Sequence, residues 1–154
     1  MLAKRLAAVT LGATLGIAGA VVAHFEGLET TAYKDPVGIP TICYGHTATA
    51  RLGQTKSVAE CDQLLQGDLA LALADVDRLV KVPLPAERRA ALTSFVYNVG
   101  GKKFETSTML RKLNAGDAAG GCAELSRWVN AGGKRLEGLV KRRAAERALC
   151  EVGL

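Results

Sequence analysis

Two acidic residues and a threonine lie close together in residues 24–46, HFEGLETTAYKDPVGIPTICYGH, a stretch that His46 closes. Glu26 and Asp35 are nine residues apart, and Thr41 follows six residues later. A carboxyl at a helix end beside an apolar wall can keep its proton near neutral pH, whereas a carboxyl in a polar turn stays ionised. Cleavage of a glycosidic bond uses such a pair as acid and base. The alternative is an ordinary connector, with an aspartate that caps a helix and a solvated glutamate.

The surrounding residues predict how these side chains are held. Gly27 follows Glu26 directly and is a typical helix stop, so Glu26 is expected at the end of the N-terminal helix. Residues 35–40, DPVGIP, form tight turns, which places Asp35 where the chain reverses. Thr41 begins the β-forming run TICY, and its hydroxyl is expected on a strand that faces the same cleft.

From residue 57 the sequence has helical periodicity. SVAE at 57–60 is a capping box, and apolar residues continue at helical spacing up to Pro83, which predicts one helix of about 23 residues. Shorter helices are predicted at 86–99, 107–114, 117–129 and 138–150, and short strands between 28 and 56. The predicted fold class is α+β: a small β-lobe and a larger helical lobe joined by the long helix, with a hydrophobic helix at the N-terminus.

Composition and charge limit the possible functions. The chain has 154 residues, 49% hydrophobic and 23% charged, a balance that excludes a disordered chain. One domain is expected over residues 24–154, after a distinct segment at 1–23. The net charge of +5 favours an anionic partner such as nucleic acid, anionic lipid or a polymer of the bacterial wall. Nucleic acid is the weakest of these, because basic and acidic residues are interleaved and no recognition motif is present.

The N-terminal segment has the features of an export signal. Lys4 and Arg5 precede eighteen uncharged residues, 6–23, which as a helix would be about 27 Å long, a minimal span for a hydrocarbon core of about 30 Å. Eleven of the eighteen are Ala, Gly or Thr, so the hold on a membrane should be weak. Three interpretations stay open: an uncleaved signal anchor, a secretory signal cleaved after AGA at 18–20, and a buried helix of a cytosolic protein.

Four cysteines form an even set behind this export-like segment, which favours two disulfides. Three pairings are possible, and we prefer Cys43 with Cys61 and Cys122 with Cys150, because each pair closes a short loop. A zinc site formed by Cys43, His46 and Cys61 is the alternative, although the paired Cys-x-x-Cys knuckles of such sites are absent from the sequence. We therefore expect neither a metal nor a cofactor.

The stretch EGLETTAYKDPVGIPTICYGH resembles the active-site segment of the phage-type lysozymes, the muramidase endolysins of glycoside hydrolase family 24. Their signature is Glu, eight residues, Asp or Cys, five residues, and Thr; Glu26, Asp35 and Thr41 fit that spacing. The resemblance continues in SFVYNVGGKKFETSTMLRKLNAGD, CAELSRWVNAGGK and GLVKRRAAERALC, at 94–117, 122–134 and 138–150. It thus covers most of the chain after residue 23.

The resemblance implies a catalytic role for three residues. Glu26 would protonate the departing glycosidic oxygen, Asp35 would position or deprotonate the attacking water, and Thr41 would help to hold that water. The substrate would be the β-1,4 bond between N-acetylmuramic acid and N-acetylglucosamine in peptidoglycan. The family is regarded as inverting, which requires carboxyl groups about 6.5–9.5 Å apart.

Four further residues have less certain roles in the sequence. Asn98 would line the sugar cleft or be an ordinary polar residue at a helix end. Arg142 and Arg143 would contact the saccharide or its peptide stem, or else form a solvated basic face with Glu146 as partner. His46 is expected to be structural, with its ring paired to a carboxylate as in the family.

Resemblance to the signal-anchor-release endolysins, a branch of this family with weakly hydrophobic N-termini rich in Gly and Ala, implies a mode of control. Residues 6–23 would tether the inactive enzyme in the host inner membrane, with the N-terminus cytoplasmic and residues 24–154 periplasmic. Glu26 would then be held within about 5–10 Å of the membrane surface. Membrane depolarisation by a holin would release the helix, which would refold against the soluble domain. The active periplasmic enzyme is expected to be a monomer.

Two other functions stay open from the sequence. A non-enzymatic wall-binding module would use the basic surface without needing Glu26, Asp35 and Thr41. A lysozyme with an ordinary cleaved signal peptide would share the chemistry but would begin at Val21.

Overall fold

The computed structural model describes the backbone of residues 2–154 and the side chains of residues 10–154. A long helix, α1 (Leu2–Glu26), is followed by an antiparallel hairpin of β1 (Glu29–Lys34) and β2 (Pro40–Cys43). The remaining elements are α2 (Val58–Leu79), α3 (Ala86–Val99), α4 (Gly101–Glu105), α5 (Thr108–Asn114), α6 (Ala118–Ala123), a 3₁₀ helix (Glu124–Arg127), β3 (Asn130–Ala131), β4 (Lys134–Arg135) and α7 (Glu137–Cys150). A small sheet beside a mainly helical body is consistent with the predicted α+β class.

Helix α2 is the long helix predicted from the apolar spacing. It begins at the predicted capping box: Ser57 Oγ accepts a hydrogen bond from Glu60 N at 3.2 Å, and Glu60 Oε2 accepts one from Ser57 N at 2.7 Å. Two orphan amides of the first turn are satisfied in this way. The helix is 22 residues long and buries one apolar face, which includes Leu65, Leu69 and Val76.

Two apolar clusters hold the helical part together. The larger cluster surrounds Phe95 and Phe104, whose rings meet edge to face with centroids 6.1 Å apart. The second joins α1 to the body: Ala18 and Val22 are fully buried there and share the cluster with residues of α2 and α3, namely Leu65, Leu69 and Ala90. The second half of the N-terminal helix is therefore part of the core in this structure.

The membrane segment expected at residues 6–23 is described only in part, because the side chains of residues 6–9 lie outside the described residues. Within the part of the chain that is described, no helix combines the length and the apolar character needed to cross a membrane.

The structure differs from the local predictions at three places. The Gly100-Gly101 break ends α3, with φ of +90° at Gly100, but a further short helix, α4, starts immediately after it. The helix expected at 117–129 is instead α6 followed by a 3₁₀ turn. A second hairpin, β3–β4, was not predicted; Gly132 and Gly133 both adopt positive φ at its turn, as the tightest hairpin turns require.

Both disulfides have the predicted pairing. Cys43 and Cys61 are bonded with a Cα–Cα distance of 5.0 Å, and Cys122 and Cys150 with one of 5.7 Å. The first bond ties the end of β2 to the first turn of α2, and the second ties α6 to the end of α7. With their sulfur atoms bonded to each other, Cys43 and Cys61 offer no thiolate to a zinc ion in this structure.

Candidate active site

Glu26 is the last residue of α1, and Gly27 ends the helix with φ of +71°. The Glu26 side chain is 25% exposed, and its Oε1 accepts a hydrogen bond from Arg142 Nη1 at 2.5 Å. Both residues line a cavity of about 350 Å³, together with Phe25, Asn98, Leu136, Gly138 and Leu139. Glu26 thus lies in a partly enclosed space with one oxygen bound to a guanidinium.

The wall beside Glu26 differs from the apolar wall expected from the sequence. Phe25 and Leu139 are apolar, but the side chain that Glu26 contacts most closely is the buried cation Arg142. The other carboxyl oxygen, Oε2, faces Gly45, where a Cβ atom would lie only 3.5 Å away. The turn after β2 therefore approaches Glu26 through bare backbone.

Asp35 and Thr41 are linked through the backbone of Ile39. Asp35 Oδ1 accepts hydrogen bonds from Val37 N at 3.0 Å and from Ile39 N at 2.8 Å. Thr41 Oγ1 donates to the Ile39 carbonyl at 3.0 Å, and the residue is only 4% exposed. Asp35 lies in the predicted turn, while the Thr41 hydroxyl, which was expected to face a cleft, is largely buried and bonded to this turn.

Arg142, Arg143 and Glu146 form a buried ionic network. They are 3%, 1% and 0% exposed, so the solvated basic face considered for this motif is wrong. Arg142 Nε donates to Glu146 Oε1 at 3.1 Å, Arg143 Nη1 donates to Glu146 Oε2, and Ser94 Oγ donates to Glu146 Oε1 at 2.7 Å. Buried charges need this pairing, because an isolated charge in a protein interior is very unfavourable.

Asn98 is held by the same network. Arg143 Nη2 donates to Asn98 Oδ1, which directs the amide NH₂ group of Asn98 away from the guanidinium. Burial lowers the pKa of Arg143, and the charge of Glu146 opposes that shift. Asn98 and Leu139 line both the Glu26 cavity and an adjacent one of about 330 Å³, which also contacts Trp128 and Arg143. The two cavities are therefore neighbours across Asn98.

His46 lies in a separate cluster beside α2. Its Nδ1 is 2.7 Å from Asp68 Oδ2, and its Nε2 is 2.8 Å from Thr49 Oγ1. The residue is buried, and its ring has the carboxylate partner expected from the sequence.

The sequence-based prediction missed two residues of the site. Ser94 and Tyr97 lie on α3 within the SFVYNVGG motif, where only Asn98 was selected. Ser94 contacts the buried network, and Tyr97 donates through its hydroxyl to the Tyr44 carbonyl at 2.6 Å. Ser94 lies three residues before Tyr97 and four before Asn98, so it is a helix-surface neighbour of each, a signal that was available in the sequence.

Comparisons with known proteins show which family the chain resembles. Residues 23–146 match the family model described as phage lysozyme. The chain is 44% identical to a protein named SAR-endolysin from Enterobacteria phage PA-2, over 97% of this chain and 94% of that protein.

Two solved structures have a similar fold. The muramidase domain of SpmX from Asticaccaulis excentricus is 33% identical, with a TM-score of 0.82 over 87% of this chain and 94% of that one. The active form of the P1 phage endolysin Lyz superposes with a TM-score of 0.83 over 95% of this chain and 93% of that one; at 23% identity this likeness concerns the fold alone. From the family match, the identity to a relative over most of both chains and the shared fold, we conclude that the chain belongs to the phage lysozyme family and is a hydrolase of the muramidase type.

Proposed function

We propose that the enzyme cleaves the β-1,4 bond between N-acetylmuramic acid and N-acetylglucosamine in peptidoglycan, with Glu26 as the general acid. The position of Glu26 carries the proposal: it lies in an open cavity with Oε1 bound to Arg142 and Oε2 free of that contact. A carboxyl held by one oxygen has a fixed orientation, and its second oxygen can hold the proton that the departing glycosidic oxygen receives.

Asp35 would serve as the base that orients or deprotonates the attacking water, with Thr41 in support. Two backbone amides donate to Asp35 Oδ1, which fixes the orientation of the carboxyl group for this role. Thr41 binds the backbone of the same turn and would help to hold the water through that turn. Direct displacement by water inverts the anomeric configuration, so proton NMR of the first-formed product should show inversion.

Asn98, Arg142 and Arg143 would contribute to the substrate cleft in different ways. Asn98 lines both cavities and would donate its amide to the glycan. The near-complete burial of the two arginines favours an indirect role, in which Arg142 orients Glu26 and Arg143 orients Asn98. His46, bound to Asp68, would have a structural role.

The N-terminal segment would work as a signal anchor that is released to activate the enzyme. Ala18 and Val22 belong to an apolar cluster of the soluble body, so their removal into a bilayer would leave that cluster incomplete. Glu26 follows on the same helix, and its contact with Arg142 therefore depends on where the helix lies. The tethered form would sit in the host inner membrane with residues 24–154 in the periplasm, and depolarisation by a holin would release it.

An ordinary cleaved signal peptide is the competing interpretation. Cleavage after Ala20 would remove Thr14 and Ala18, which are both fully buried in this structure. The apolar surface of Leu65 and Leu69 would then be exposed to water. Mass spectrometry of the active periplasmic protein distinguishes the two: retention of residues 6–20 supports release, and a mature N-terminus at Val21 supports cleavage.

The Glu26→Gln variant tests the catalytic assignment. The amide keeps an oxygen to accept from Arg142 but cannot supply a proton, so peptidoglycan cleavage should fall by about 10²–10⁴-fold. The exposed Glu29 on β1 provides the matched control, since Glu29→Gln makes the same chemical change outside the cavity. Cleavage is measured by turbidity loss of purified walls and by mass spectrometry of reduced fragments, and the fold by circular dichroism. Near-normal cleavage by Glu26→Gln would contradict the assignment.

A further inference from the structure

We propose that Tyr97 is a positioning residue that sets the gap between Glu26 and the β-lobe. This inference rests on the proposed function, because it assumes that Glu26 acts on the substrate together with Asp35 and Thr41. It derives from the hydrogen bond of 2.6 Å between the Tyr97 hydroxyl on α3 and the Tyr44 carbonyl just after β2.

The segment that Tyr97 contacts is a closed turn of residues 42–46. Ile42 N donates to the His46 carbonyl and His46 N donates to the Ile42 carbonyl, both at 2.9 Å. Two residues inside the turn adopt positive φ, Cys43 at +61° and Gly45 at +91°. A turn closed by two reciprocal backbone bonds moves as a unit, so a force on the Tyr44 carbonyl is transmitted to Gly45.

Gly45 is the part of this turn that borders Glu26. A Cβ atom at Gly45 would lie 3.5 Å from Glu26 Oε2 and 3.8 Å from the Tyr97 hydroxyl oxygen. The Gly45 backbone therefore lies beside both side chains. A shift of the turn that Tyr97 holds would therefore change the distance between Gly45 and Glu26 Oε2.

The tethers of the turn run to two different helices. Those to α2 are the Cys43–Cys61 disulfide, the Tyr44 hydroxyl on Asp62 at 3.0 Å, and His46 on Asp68 at 2.7 Å. Among the side chains that the structure describes, the hydrogen bond from the turn to α3 is the one made by Tyr97. Its loss would leave the turn held to α2 alone, without a direct hydrogen bond to α3.

Helix α3 also belongs to the frame that holds Glu26. Arg142, which binds Glu26 Oε1, donates through Nη2 to the Ser94 carbonyl on α3 at 3.3 Å. The position of Glu26 is thus fixed relative to α3 through Arg142. Asp35 and Thr41, in contrast, belong to the hairpin that leads into the turn. An inverting hydrolase needs its two carboxyls at a set separation with water between them, and a misplacement of about 1 Å can lower the rate by about 10²-fold.

Tyr97 keeps its proton throughout the working pH range. Burial raises the pKa of the Tyr97 phenol, the negative charges of Asp68 and Glu26 raise it further, and Arg142 acts in the opposite direction. The hydroxyl is therefore a permanent donor to the Tyr44 carbonyl. A positioning role through this bond should change the rate by the same factor at every pH.

Tyr97→Phe tests the inference, because it removes the hydroxyl and keeps the ring. We expect the apparent kcat on purified peptidoglycan to fall about 10-fold, with the apparent KM changed less than about twofold and the same factor from about pH 5 to 8. Tyr33→Phe on β1 is the matched control: Tyr33 is exposed, and its variant should keep the wild-type kcat. An unchanged kcat in Tyr97→Phe, or an equal loss in both variants, would overturn the inference.

A second measurement separates misplacement of the turn from a general loss of stability. Amide hydrogen exchange at His46 should accelerate in Tyr97→Phe, while exchange in the middle of α2 stays at the wild-type rate; equal acceleration in both places would contradict a local role. Glu26→Gln separates this inference from the proposed function. If Glu26→Gln retains activity, the catalytic assignment itself fails, whereas an inactive Glu26→Gln beside a fully active Tyr97→Phe refutes only the role of Tyr97.

Discussion

Replacing Ala18 with leucine tests whether the N-terminal helix docks on the body of the soluble enzyme in the way the structure shows. Ala18 has no exposed surface and packs against Leu65, Leu69 and Ala90. Leucine places a branched side chain where only a methyl group fits. Because overpacking a dense core costs about 1–3 kcal/mol, the free energy of unfolding of the soluble enzyme should fall by about that amount.

Ala20→Leu is the matched control for this substitution. Ala20 lies two residues away on the exposed face of the same helix, so leucine there meets no packed neighbour. Both variants make the helix more apolar by the same amount and should strengthen membrane insertion equally. Any difference between them therefore reports docking rather than anchoring.

Thermal unfolding of the purified soluble variants provides the assay. At about 2–4 °C per kcal/mol for a chain of this size, Ala18→Leu should lower Tm by about 2–12 °C, and Ala20→Leu should stay within about 2 °C of the wild type. In cells, Ala18→Leu should delay lysis more than Ala20→Leu does. Equal Tm values for the two variants would refute the docked arrangement, and equal delays of lysis would refute its link to activation.

Two further predictions concern buried charges. Glu146→Gln removes the carboxylate shared by Arg142 and Arg143. It should lower the free energy of unfolding by about 3–5 kcal/mol in denaturant titrations. The control Glu151→Gln, at a more exposed ion pair, should change the free energy of unfolding by less than about 1 kcal/mol, and equal effects of the two variants would contradict the role of the network. The hydrogen bond from the Lys112 ammonium lowers the pKa of Glu124 in the folded state. This pair therefore stabilises the fold at any pH above the unfolded-state pKa of Glu124, and the stabilisation is lost as the pH falls through the folded-state pKa. Lys112→Met should therefore unfold at a lower denaturant concentration than the wild type at pH 7. The difference should vanish in acid once Glu124 is protonated in the folded state, and a difference that persists there would exclude this cause.

Local rules were sufficient to predict the main elements. The capping box at Ser57 and Glu60, the apolar spacing of α2, and the glycine after Glu26 each depend on residues within a few positions of one another. Such signals act through backbone hydrogen bonding and side-chain periodicity, which need no knowledge of distant parts of the chain. The ends of α4 and α6 were predicted less well, because they depend on tertiary packing. Gly121 illustrates this, since a Cβ atom there would lie 2.7 Å from the Leu113 side chain. The exposed β3–β4 hairpin has a local signal in its Gly132-Gly133 turn, which was overlooked.

The electrostatic surroundings of the site could not be predicted in this way. Arg142 and Glu146 are four residues apart on one helix, a spacing equally typical of a solvated surface pair. Only the packing of α7 against α3 shows that both are buried and that the partner of Arg142 is Glu26, 116 residues away. Burial converts a weak surface attraction into a strong constraint, because water no longer screens the charges.

The sequence by itself determined which residues have the types and spacing for glycosidic chemistry: Glu26 at a helix end, Asp35 in a turn, and Thr41 at the start of a strand. These are properties of a short stretch of chain, and they do not depend on how the rest of the chain folds. The tertiary structure decided what each of them contacts. Arg142 holds Glu26, and Tyr97 holds the turn that borders it, through contacts between residues 116 and 53 positions apart. Contacts of that separation exist only once the helices have packed, since no local preference of the chain specifies them.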